Sequence, residues 1–231
     1  MRSEFPNTQS KQPVIIQSPA GIIFDMDGVL IDSEPLHKRA KELAFAEVGI
    51  VLPESVYDSY KGRPDATILP EILTARGFSA ERVEEVSRRK KQLYEELEHE
   101  LKGVEGAVEF VSWAASRYKI ALATSATARN REATLRLLGI GNLFHAAVDA
   151  SGHQRPKPDP EVFLIAIEKL QLKADDCWIV EDSLNGLRAA KAAGCYSVAL
   201  STTFDRVKLS SAGADIVVDS FAELREFMES L

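Results

Sequence analysis

Residues 21–28 read GIIFDMDG: a short apolar run that ends abruptly in two aspartates and a glycine. An unbroken apolar stretch of this length, Gly21 to Met26, predicts a buried strand. In extended chain residues i and i+2 face the same side, so the carboxylates of Asp25 and Asp27 point into one crevice. Left alone, that pair is costly through repulsion and desolvation, and a divalent cation or a shared proton relieves it. A turn carrying two solvated aspartates is the competing reading, and Gly28, which permits a sharp exit, is compatible with both.

Outward from this strand the pattern changes twice. From Glu34 to Lys102 it is helical throughout. Ser33 stands as a candidate N-cap with Pro35 in the first turn, and Leu36, Ala40, Leu43 and Val48 recur at helical spacing. Helices follow over Asp65–Ala75, kinked by Pro70, and over Ser79–Leu101, with a stripe of Val83, Val86, Leu93, Leu97 and Leu101. After Gly103, helices alternate with short apolar strands at Lys119–Thr124, Ala146–Val148, Cys177–Val180, Tyr196–Leu200 and Ile216–Val218. Repeated αβ units of this length require parallel pairing with right-handed crossovers. The expected fold is therefore α/β: a Rossmann-like open parallel sheet (residues 20–33 and 103–231) with an inserted α-helical cap domain (34–102). Residues 1–19, polar and broken by Pro6, Pro13 and Pro19, read as a loosely held tail.

Composition narrows the function. The 231 residues carry 28 basic and 35 acidic side chains, a net charge of −7 without a basic stripe, which argues against nucleic acid as a partner. No stretch approaches the roughly 18 apolar residues of a membrane helix, and the amino terminus lacks a signal pattern, so a soluble, cytoplasmic protein without a membrane partner is expected. The only cysteines, Cys177 and Cys195, fall in apolar segments and suggest neither a disulfide framework nor a zinc site.

Ligands of open parallel sheets bind beyond the carboxyl ends of the strands. There this chain carries Asp25 and Asp27, then Thr124-Ser125, then Lys157 in a proline-braced RPKPDP loop, then Glu181-Asp182-Ser183. Each has a bland alternative. Lys157 alone reads as an exposed loop lysine, and Asp182 alone as the N-cap of the helix starting near Leu184. Together they assemble an oxygen-rich pocket suited to Mg²⁺, an ammonium, and hydroxyl and N–H donors for an anion. His37, His99, His145 and His153 are scattered and form no zinc cluster. A carboxylate nucleophile, a neighbouring acid, a hard cation and an anion cradle together solve phosphoryl transfer.

The same residues carry a resemblance. FDMDGVLIDSEPLH (24–37), ALATS (121–125), RPKPDP (155–160) and VEDSLNG (180–186) resemble, in order and spacing, the four motifs of the haloacid dehalogenase superfamily, in its phosphatase and β-phosphoglucomutase-like branch. The resemblance runs from about Gly21 to the carboxy terminus. It implies Asp25 as a nucleophile forming an aspartyl phosphate and Asp27 as general acid/base. Mg²⁺ would be held by Asp25, the Asp27 carbonyl and Asp182, with Glu181 assisting, and the phosphoryl group by Thr124, Ser125 and Lys157. True dehalogenases lack the second aspartate, so phosphate chemistry is implied over carbon–halogen cleavage. In the cap, His37, the Lys61-Gly62 pair and Lys90 align with substrate contacts. Asp65, however, stands where the mutase pattern has an arginine that grips a second phosphate. The expected activity is therefore a Mg²⁺-dependent hydrolase of a small phosphorylated metabolite, a phosphomonoester such as a sugar phosphate. The alternatives are β-phosphoglucomutase, inorganic pyrophosphatase and a non-catalytic phosphometabolite sensor. A cap that shields the site without a partner implies a monomer.

Overall fold

The computed structural model describes residues 17–61, 63 and 65–231, so most of the tail expected at 1–19 lies outside the described residues. In chain order the elements are β1 (Gly21–Phe24), β2 (Ile31–Asp32), α1 (Glu34–Ala46), α2 (Glu54–Tyr60), α3 (Asp65–Thr74), α4 (Ala80–Leu97) and β3 (Lys102–Gly103). There follow α5 (Ala107–Ala115), β4 (Lys119–Ala123), α6 (Ala128–Leu138), β5 (Ala146–Val148), α7 (Glu161–Leu170) and β6 (Cys177–Glu181). The chain closes with α8 (Leu184–Ala192), β7 (Tyr196–Leu200), α9 (Arg206–Ser211), β8 (Ile216–Val218) and α10 (Phe221–Glu229).

Six strands form one parallel sheet in the order β5-β4-β1-β6-β7-β8. The order reverses at β1, and such switch points open a crevice at the strands' carboxyl ends. Register decides what meets there. Phe24 lies level with Leu122 of β4 and Val180 of β6, so the next residues, Asp25, Ala123 and Glu181, stand side by side. Side-chain alternation divides the core. Ile22 and Phe24 join Phe110, Trp178 and Phe221 on one face, and Ile23 joins Ala121, Phe163, Ala166 and Ile179 on the other. Each fully buried Ile or Phe contributes roughly 1.5–3 kcal/mol relative to exposure.

The helices α1–α4 leave and rejoin the sheet through β2 and β3, which pair antiparallel, Ile31 opposite Gly103 and Asp32 opposite Lys102. They bury Leu36, Ala40 and Phe45 against Ile68, Leu69, Leu73, Val86 and Leu93.

Several local expectations change. β1 ends at Phe24, short of Met26, because the Ile31 N–H donates to the Met26 carbonyl, the Gly28 N–H donates to the Ile31 carbonyl, and Gly28 takes φ +75°. Ser33 precedes α1 but caps no N–H; its hydroxyl points to Asp27 instead. Asp182 is not the cap of α8. Ser183 is, accepting from the Gly186 N–H at 3.0 Å, so the Asp182 carboxylate has no capping role and instead takes a hydrogen bond from Thr203. Helices α2 and α9, each at most seven residues, carry too little periodicity to announce themselves.

Candidate active site

A cleft of about 590 Å³ lies between the sheet's carboxyl edge and the inserted helices. Its floor centres on Lys157. The lysine Nζ donates to Asp25 Oδ1 at 2.6 Å and to Glu181 Oε1 at 2.7 Å, and its charge lies 4.6 Å from the Phe163 ring centroid. The second Glu181 oxygen accepts from the backbone N–H groups of Asp182 (2.9 Å) and Ser183 (2.8 Å) and from the Ser183 hydroxyl (2.9 Å). Glycines make this fit possible. A Cβ on Gly186 would fall 1.7 Å from Glu181 Oε1, and one on Gly28 would fall 1.9 Å from Asp182 Oδ2.

Charge here is unbalanced. Asp25, Glu181 and Asp182 are buried and each offers an oxygen within 4.8 Å of the others, against one ammonium. Burial pushes the Asp25 carboxyl up to about 7, with Glu181 and Asp27 adding to the effect and Lys157 opposing it. Asp182 is likewise held well above its ordinary value, by burial and then by Glu181 and Asp25. Burial would lower Lys157, but Asp25 and Glu181 more than reverse that and hold it above the usual lysine value. A hard divalent cation supplies the missing positive charge, and an all-oxygen donor set matches Mg²⁺. Glu181 has both oxygens committed to protein donors, so Asp25 and Asp182 are the carboxylates with capacity for that ion.

Asp27 lines the cleft beside Asp25 and accepts from the Ser33 hydroxyl at 2.5 Å. Burial raises its carboxyl pKa, and Ser33 partly offsets the rise. Thr124 is buried at the end of β4, its Oγ accepting from the Ala126 N–H at 3.0 Å, and Ser125 is exposed at the same rim. The floor thus gathers Asp25, Asp27, Thr124, Ser125, Lys157 and Glu181 around one cavity, with Asp182 against Gly28 behind them.

The opposite wall comes from α1, α3 and α4. Lys90 is only 3% exposed; it donates to His37 Nδ1 at 2.7 Å and pairs with Asp65. Burial and Lys90 push the His37 pKa down to about 3, so the ring is neutral, stacked 4.3 Å from Tyr94. Lys41 lies 3.3 Å from the other Asp65 oxygen. Of the expected cap contacts, His37 and Lys90 line the cleft; Lys61, at the end of α2, lies near enough to the lining residue Glu34 to act on its carboxyl, and Gly62 lies outside the described residues. The basic run Arg88–Lys91 divides. Arg89 bridges Glu47 and Glu96 on the surface, whereas Lys90 turns inward. Sequence reasoning missed Lys41, Ser33 and the pairing role of Asp65. Lys90 carried a signal, since it falls at helical spacing with Val83, Val86 and Leu93 on the inner face of α4.

A family model described as haloacid dehalogenase-like hydrolase matches residues 19–194. The chain belongs to this family and is an enzyme of it. Among its relatives, the phosphorylated carbohydrates phosphatase of Thermotoga maritima is 36% identical over 176 residues, covering 75% of this chain and 81% of that protein. The β-phosphoglucomutase of Bacillus subtilis is 30% identical, covering 88% and 90%. Among solved structures, CbbY from Rhodobacter sphaeroides in complex with phosphate superimposes with a TM-score of 0.74 at 27% identity, covering 89% of this chain and 96% of that one.

Proposed function

We propose that this enzyme is a Mg²⁺-dependent phosphohydrolase that releases phosphate from a small phosphomonoester, a sugar phosphate, by way of an aspartyl phosphate on Asp25. The observation that carries this reading is the buried set at the cleft floor, where Lys157 bridges Asp25 and Glu181 and Asp182 stands close by. An Asp25 oxygen attacks phosphorus while the bond to the leaving alkoxide breaks, and Asp27 gives that oxygen its proton. Asp27 then takes a proton from water, whose oxygen attacks the same phosphorus; phosphate leaves and Asp25 is restored. Lys157 favours the anionic form of Asp25 against burial and, with Thr124 and Ser125, holds the phosphoryl oxygens. Asp25, Asp182 and the Asp27 carbonyl would hold Mg²⁺, which when bound neutralises the charge of the transferring group. Glu181 would serve indirectly, by fixing Lys157.

The phosphatase name of the Thermotoga relative supports the substrate class. The sheet edge and the inserted helices of the same fold form both walls of the cleft, which supports a monomer as the working unit, and a phosphorylated metabolite as substrate supports action in the cytoplasm. Among the described residues no helix is long and apolar enough to cross a membrane.

Phosphate release from a panel of sugar phosphates with Mg²⁺ tests the reading. Wild type is expected to turn over and Asp25→Asn to lose at least about a thousandfold, the scale of removing a covalent nucleophile. Equal turnover by both proteins, or none by wild type across the panel, overturns it. The relationship to β-phosphoglucomutase supplies the other outcome. Rapid conversion of β-glucose 1-phosphate to glucose 6-phosphate, primed by the bisphosphate and with negligible free phosphate, would make the enzyme a mutase.

A further inference from the structure

The cap wall bears on what lies beyond the transferred phosphate. Lys90 and Lys41 are both buried, and both point at the Asp65 carboxylate. Burial would raise the Asp65 pKa, but the two lysines more than reverse it and hold the carboxyl below its usual range, so the group is anionic. Glu34 lies close enough to these three to feel each of them, and it also feels Lys61 from the end of α2. His37, between Lys90 and Tyr94, is neutral. The inner wall therefore sets the two buried lysines against Asp65 and Glu34, with Lys61 acting on Glu34 from one side. At its outer edge Arg63 is tied to Glu71 at 2.6 Å, and Lys91 and Glu95 lie one helical turn apart.

We infer that Asp65 selects substrates whose non-phosphate end is an uncharged polyol and excludes those with a second phosphate there. The inference rests on the phosphatase reading and names the substrate class for it. A phosphate dianion placed against this wall must either displace Asp65 from Lys90 and Lys41 or lie beside two carboxylates, and both leave buried charge uncompensated. A hydroxyl both donates and accepts. It can donate to Asp65 and accept from Lys90 without changing the charge of the wall. Sites built this way discriminate by the pairing they would otherwise lose.

The test compares kcat/KM for fructose 1-phosphate and fructose 1,6-bisphosphate in wild type, Asp65→Asn and Asp65→Glu. Each ratio is read within one protein sample, so partial loss of folded enzyme divides out. Wild type should favour the monophosphate by about tenfold or more. Asp65→Asn keeps the shape, removes the charge and exposes Lys90 and Lys41 to the second phosphate, so its ratio should shift toward the bisphosphate by about tenfold or more. Asp65→Glu should keep the wild-type preference. Calorimetric binding of the same two ligands, with Mg²⁺, to Asp25→Asn and to Asp25→Asn combined with Asp65→Asn reads the same preference without turnover. If wild type hydrolyses no monoester yet the binding preference holds and shifts, the phosphatase reading fails and the selection stands. A wild type that prefers the bisphosphate, or ratios that Asp65→Asn leaves within about twofold, overturn the selection.

Discussion

Replacing Gly186 by alanine sets two effects of known size against each other. Gly186 lies in the first turn of α8, where alanine ordinarily improves on glycine by about 1 kcal/mol. Here the added methyl would stand 1.7 Å from Glu181 Oε1 and 1.9 Å from the carboxyl carbon, far inside any non-bonded approach. The clash is with a side chain that cannot yield easily. Glu181 is fully buried and accepts from Lys157, two backbone N–H groups and the Ser183 hydroxyl. Hydrogen bonds to a charged group contribute about 1.5–3 kcal/mol each, so losing two of them outweighs the helix gain and leaves a net cost of about 2–5 kcal/mol. For a chain of this size that lowers Tm by about 4–20 °C. Thermal melts and urea titrations followed by circular dichroism read the change, and phosphate release should fall with it, because Lys157 loses one of its two carboxylates. Gly139→Ala is the control: φ there is +69° with nothing within 4 Å of the new Cβ, so only backbone strain of about 1 kcal/mol applies. A Gly186→Ala protein that melts at or above wild type would refute the view of Glu181 as a rigid support.

Three further outcomes follow from the charge pattern. Lys157→Met leaves Asp25 and Glu181 without their shared cation, so at pH 8 it should lose about 3–5 kcal/mol of stability and all turnover, with a smaller stability loss at pH 5 where the acids can protonate; equal losses at the two pH values would refute this. Because Asp25 is raised from 3.8 to about 7 in the folded protein, the metal-free fold retains a proton that the unfolded chain has released; its stability should decline as pH climbs through that window, by up to about 4 kcal/mol from this group. Added Mg²⁺ should therefore raise Tm more at pH 8 than at pH 5, and a pH-independent shift would count against the ion sitting at Asp25. Ser33→Ala removes the donor that partly offsets the raised pKa of Asp27, so the limb of the pH–rate profile set by Asp27 should move to higher pH; a profile that stays put would mean that Asp27 does not set it.

The floor of the cleft was legible in sequence because a parallel sheet converts strand ends into positions. Once β1, β4 and β6 are recognised as strands, their register leaves little freedom for Asp25, Thr124 and Glu181. Lys157 was legible through its proline-braced loop, although its two carboxylate partners were not distinguishable from a role on phosphate alone. The cap was read less well. Asp65, Lys41 and Lys90 come from three different helices, and no spacing along the chain announces that they meet. Four consecutive basic residues at 88–91 have the composition of a solvated face, yet a helix turns about 100° per residue, so a run of four cannot stay on one side. Ser33 was misread as a cap because local patterns cannot show that a hydroxyl has a better partner across the turn. Asp182 was ambiguous between cap and ligand until Ser183 was seen to fill the capping role.

The two walls divide the work by charge. The floor, with three buried carboxylates against one ammonium, repels a phosphate dianion unless further positive charge is present. Its preference is therefore conditional, and under the proposed mechanism the cation would be bound before the anion enters. The cap wall already pairs its two buried lysines with Asp65 and makes no such demand. Under that mechanism recognition of the phosphoryl group would be coupled to the metal through the floor, and recognition of the remaining alcohol would be coupled to neither. This separation lets helices inserted between β2 and β3 vary in their contacts while the sheet edge keeps its chemistry. It also explains why the residues that say most about the reaction were readable from strand ends, and those that say most about the substrate had to wait for the packing of α1 against α3 and α4.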